Sequence, residues 1–81
     1  MKLFIVTSAI MDSIDNLISG VVKVCKSQEE AQLALKDYHD TVLATYFVPG
    51  NIDDEFEEEE GYFDICDKDA RITAGIEEVE I

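Results

Sequence analysis

The chain has 81 residues, with 19 Asp and Glu against 6 Lys and Arg, for a formal charge of −13. That length suits one domain, residues 1–81, and 47% hydrophobic residues separate the chain from disordered polyanions, so it is expected to fold. With few basic residues there is no cluster of Lys and Arg for phosphate contacts, so direct binding to nucleic acid or an anionic membrane is not expected, and a basic partner is favoured.

Leu3, Phe4, Ile5 and Val6 begin a dense apolar run through residue 10 that is hydrophobic on both alternating faces, which predicts a central strand covered on both sides. The Leu3, Phe4, Ile5, Val6 run after Lys2 is too short for a signal-peptide core or a membrane span. Cys25 and Cys66 stand forty residues apart without Cys-x-x-Cys or His spacing, so a cytoplasmic protein with reduced thiols is expected, each Cys a small buried residue on a strand. Residues 11–16, with two Asp, a Ser and an Asn, suit a turn. Residues 17–25 then form a second strand, with a bulge at Ser19 and Gly20, to complete a hairpin.

Ser27, Gln28, Glu29 and Glu30 make a capping box, in which the Ser27 hydroxyl accepts the Glu30 N–H and the Glu30 carboxylate reaches back to the N–H of Ser27. From there Ala31, Ala34, Leu35 and Tyr38 form one apolar helical stripe, Leu33 points away from it, and the helix is expected to end near His39 or Asp40. Residues 42–48 are apolar, β-branched and aromatic and stop at Pro49, Gly50 and Asn51, which predicts a third strand and a turn. An acidic loop follows at 51–61, then strands at 62–66 and 71–76, with a bulge near 75–78. The predicted class is α+β: one mostly antiparallel sheet in the order β-β-α-β-β-β, with a single helix packed on one face.

Charge is concentrated in the second half. Asp53, Asp54, Glu55, Glu57, Glu58, Glu59 and Glu60 fill seven of eight consecutive positions, interrupted only by Phe56, and Tyr62, Phe63 and Asp64 follow. Residues 53–81 carry a net −11, against −2 for residues 1–52. Such a block is either a solvated loop serving solubility or a surface that offers carboxylates and aromatic anchors to a basic partner. Alternate carboxylates on a strand lie roughly 6.6 Å apart, of the order of the spacing between successive phosphates along a nucleic-acid strand.

No residue set points to catalysis. His39 is the only histidine and is read as a helix-end cap or a solvent-exposed side chain, no serine has a nucleophile-elbow context, and no glycine-rich phosphate loop is present. Asp67 and Asp69 have the first spacing of an EF-hand loop, but Arg71 and Ile72 stand where a ligand and a glycine are needed, so neither a metal site nor a cofactor is expected. Weak divalent-ion association with the acidic block stays open.

The Met-Lys start, the strand at 3–7, Ser27-Gln-Glu-Glu-Ala31 and the closing Ile76-Glu-Glu-Val-Glu-Ile81 resemble small uncharacterised proteins of phages, prophages and gut bacteria. In size and acidity the chain also resembles anti-CRISPR proteins and uracil-DNA glycosylase inhibitors, and Asp12, Ser13 and Ile14 loosely resemble the Glu-Ser-Ile edge strand of the latter. These resemblances imply a mobile-element origin and DNA mimicry, and no binding residue is carried over from them. The expected function is a non-enzymatic protein that inhibits a nucleic-acid-binding protein by occupying its basic surface, through Asp53 to Glu60, Tyr62, Phe63 and Asp64. The alternative is a self-associating structural module, pairing through an exposed strand such as the one ending at Ile81 and able to form a homodimer.

Overall fold

The computed structural model describes residues 1–12, 17–47, 50, 52–68 and 70–81, which form β1 (Lys2–Asp12), β2 (Leu17–Cys25), α1 (Gln28–Tyr46), β3 (Asp53–Glu57), β4 (Tyr62–Cys66) and β5 (Ala70–Glu80). The five strands make one sheet in the order β2-β1-β5-β4-β3, every neighbouring pair antiparallel, and α1 packs on one face. The expected α+β class, with five strands and one helix among the described residues, is therefore observed.

Two expected elements are assigned differently. Residues 42–46 continue α1, and the third strand is the acidic segment itself, not a loop at 51–61. The helical stripe explains the first change. Ala31, Leu35, His39 and Val42 are all buried on one face, so Val42 extends the stripe that begins at Ala31 and its β-branched preference yields to burial. Topology demands the length as well. The chain leaves β2 at one edge of the sheet and must enter β3 at the other, four strand spacings or about 19 Å away. A 19-residue helix is about 28 Å long and makes that crossing.

The helix start forms with one shift. Ser27 Oγ accepts the Glu30 N–H at 3.2 Å, but the Glu30 carboxylate accepts from the Lys26 N–H at 3.2 Å and not from Ser27. Within the helix the Thr41 hydroxyl donates to the Asp37 carbonyl at 2.9 Å, which satisfies that group inside the added turns. Phe47 ends the helix in an extended conformation and is buried in the core.

The core lies between α1 and the facing residues of the sheet. Val6 of β1, Cys25 of β2, Phe63 and Ile65 of β4, and Ile72 and Ala74 of β5 pack beneath Ala31, Leu35 and Val42. Cys25 is thus the buried strand cysteine expected, whereas Cys66 is half-buried at the end of β4, and both are free thiols. Leu33 is 72% exposed, as its position off the stripe requires.

The pairing corrects further details. The irregularity in the β1–β2 ladder falls between Val6 and Thr7, opposite Lys23 and Val21, so the extra residue is Val22 and not Ser19 or Gly20. The β1–β5 ladder runs without a break from Lys2↔Glu80 to Asp12↔Ala70, so there is no bulge at 75–78. β5 is central and the sheet's outer strands are β2 and β3, but β4 covers β5 only as far as Ile76, so Glu77–Glu80 pair with β1 alone and the end of the strand near Ile81 is open on its other side among the described residues. Helix α1 covers one face of β1 only. The second apolar face of that strand instead places Leu3 across from Val79 and Ile5 beside Val24, all on the opposite side of the sheet. The expected turn at 13–16, and Val48, Pro49 and Asn51 of the expected strand and turn, lie outside the described residues.

Candidate interaction surface

The acidic segment becomes ordered because it alternates. On β3, Phe56 pairs with Phe63 and Asp54 with Ile65, so both face α1, while Asp53, Glu55 and Glu57 face the other way. Glu58, Glu59 and Glu60 form the turn, which Gly61 closes at φ +71° by donating its N–H to the Glu57 carbonyl at 2.9 Å. Left-handed geometry favours glycine here, and a Cβ would also stand 3.2 Å from Ile76 Cδ1.

The expected partner-binding residues therefore divide into three groups. Asp53, Glu55 and Glu57, with Tyr62 and Asp64 from β4, lie together on the outer face; Glu58, Glu59 and Glu60 crown the hairpin. Phe63 is fully buried, and Phe56 is half-buried against the core. Neither is an exposed anchor, because the hairpin needs apolar residues on the side that faces α1. Asp54 is also taken inward. Both of its carboxylate oxygens bond His39 Nε2, at 2.8 and 3.0 Å, and Asp40 bonds Nδ1 at 3.0 Å.

His39 thus has a different place from the exposed cap expected. It lies in the middle of α1, 9% exposed, edge-on to Phe56 at 5.0 Å and to Phe63 at 5.1 Å. The spacing Ala31, Leu35, His39 was the available signal, since it puts the imidazole on the buried stripe. Burial is the largest influence on the ring and works against its charged form. The hydrogen bonds to Asp54 and Asp40, with their charges, outweigh it, so the pKa is raised above 6.5. Among the described strands β3 pairs only with β4, so this contact and the packing of Phe56 are what tie the acidic strand to the core beyond that ladder.

On the outer face Tyr62 lies opposite Glu57, and Asp64 opposite Glu55. Burial first, and then the charges of Glu55, Glu57, Glu60 and Asp64, raise the Tyr62 phenol pKa, as expected of a ring rimmed by carboxylates. Asp64 holds Arg71 in a bidentate pair, Nε to Oδ1 at 3.0 Å and Nη2 to Oδ2 at 2.5 Å. Across the middle of the same face runs a trough of about 540 Å³, floored by Thr7, Ala9, Thr73 and Gly75 and bounded by Val21 at one end and Tyr62 at the other.

Among the described residues no group of three or more His, Cys, Asp or Glu is arranged to hold a metal ion, and no helix is long and apolar enough to cross a membrane. Asp67 accepts the Ala70 N–H at 2.8 Å and its own N–H donates to the Ala70 carbonyl at 2.9 Å, which makes it part of the β4–β5 turn. Compared with protein-family models, curated proteins and solved structures, the chain matches none of them.

Proposed function

We propose that this protein is a non-enzymatic inhibitor that occupies the basic surface of a nucleic-acid-binding protein, in the manner of a DNA mimic. The observation that carries the reading is the one-sided array of β3: Asp53, Glu55 and Glu57 share a face, spaced roughly 6.6 Å apart, and run into the glutamates of the turn with no basic residue among them. A surface built to grip phosphates presents Lys and Arg at comparable intervals, and carboxylates there gain charge-assisted hydrogen bonds and electrostatic steering. Tyr62 adds an aromatic face for a guanidinium. The test is binding of a captured basic partner at low and high salt, with a Glu57→Gln, Glu58→Gln, Glu59→Gln, Glu60→Gln variant. Association should slow in the variant by more than its unfolding temperature shifts, and unchanged affinity would sink the reading.

The second reading is self-association through a sheet edge, and one observation favours it. Val21 and Val24 on edge strand β2 are 62% and 53% exposed, and Lys23 is the one charged residue of that strand against the four carboxylates of β3. Light scattering separates the two, since a stable dimer paired through β2 leaves the acidic edge unused.

A further inference from the structure

We infer that the trough across the outer face of the sheet receives a basic amphipathic α-helix of the partner, with its apolar face on Thr7, Ala9, Thr73 and Gly75 and its cations at the Tyr62 end. This deepens the proposed function and rests on it.

Among the described residues nothing packs on this face, because α1 lies on the opposite side. Its floor consists of small residues, which let a cylinder of about 10–12 Å diameter approach the strands closely. The trough crosses β2, β1, β5 and β4, three strand spacings or about 14 Å, enough for roughly nine residues of helix. A helix suits this place because its backbone bonds are internal, so lying over the middle of a sheet, out of reach of a free strand edge, leaves none of them unmade. Charge sets the orientation. Val21 closes the β2 end, whereas the β4 end opens on Tyr62, Asp64, Glu55 and Glu57. On this face of β3, β4 and β5 the only basic side chain among the described residues is Arg71, which Asp64 already holds. Cations must therefore come from outside.

The probe is a synthetic end-blocked helical peptide of about four turns, with Ala and Leu on one face and Arg on the flanks, titrated by fluorescence anisotropy and by amide chemical shifts. Shifts centred on Thr7, Ala9, Thr73 and Gly75, and at least tenfold weaker binding to Ala9→Trp, which fills the trough, are expected. Thr7→Lys should weaken binding in the same direction, which keeps the test valid if the Trp variant unfolds. Wild-type binding to both variants, with loss in Asp53→Asn, Glu55→Gln, Glu57→Gln, would overturn the inference while leaving the proposed function standing, since the acidic edge alone would then be the receptor. Absence of binding to the wild type also overturns it, as does a concentration-dependent dimer that shifts the same amides, because the occupant would then be a second copy. The proposed function fails separately, if the wild type captures no basic protein in a salt-sensitive way.

Discussion

Replacing Asp54 by Asn should loosen the acidic strand in a pH-dependent way. Asp54 faces the His39 Nε2 with both oxygens, at 2.8 and 3.0 Å, and its side chain is 30% exposed. A hydrogen bond to a charged group contributes about 1.5–3 kcal/mol, and the partial exposure of Asp54 lowers this to about 1–2 kcal/mol. Asp40 is 65% exposed and adds little. Because the folded pKa of His39 is raised, the stabilisation from the imidazolium is complete below the unfolded value near 6.5 and is lost as pH rises through the folded value. Urea unfolding from pH 5.5 to 8.5 should therefore show a gap of about 1–2 kcal/mol between wild type and Asp54→Asn at the acid end, or roughly 4–16 °C in Tm for a domain of this size, and the gap should narrow toward the alkaline end. In parallel, the imidazole resonances should titrate above 6.5 in the wild type and lower in the variant. Equal stabilities at pH 5.5, or a gap that widens with pH, would refute the His39–Asp54 tie.

Four other outcomes follow from the packing and charge. Phe63→Ala should cost about 3–5 kcal/mol in denaturant unfolding, because the ring is fully buried between Tyr38, His39 and Phe56. Gly61→Ala should cost more than about 1 kcal/mol, since it combines a positive φ with a close approach to Ile76, whereas Leu33→Gln on the exposed side of α1 should stay within about 0.5 kcal/mol. Raising salt from about 0.01 to 0.5 M should raise the unfolding temperature, because it screens the repulsion among the outer-face and turn carboxylates.

The parts of the fold visible in the sequence were those where one signal stood alone. The capping residues at Ser27 and the stripe from Ala31 to Tyr38 located α1, and the alternation Ile72, Ala74, Ile76 located β5. The C-terminal half of α1 was hidden because Val42, Thr45, Tyr46 and Phe47 favour strands when read locally. The stripe that continues through His39 to Val42 was the one local sign of helix, and the distance from β2 to β3, which sequence order does not contain, also requires it. The acidic strand was hidden for the opposite reason. Seven carboxylates read as a loop, although Phe56 at one inward position and Asp54 at the other already had the period of two that a strand needs. Placing Asp54 also required knowing that His39 lies on the buried side of α1.

The most direct measurement is competition with duplex DNA for a captured basic partner, using the wild type and the Asp53→Asn, Glu55→Gln, Glu57→Gln variant. Mutually exclusive binding is expected, with DNA displacing the wild type from the partner at low salt and the variant failing to block the partner's DNA binding. A ternary complex in which the partner holds DNA and this protein together, or full inhibition by the variant, would contradict the proposal that the acidic face occupies a nucleic-acid site.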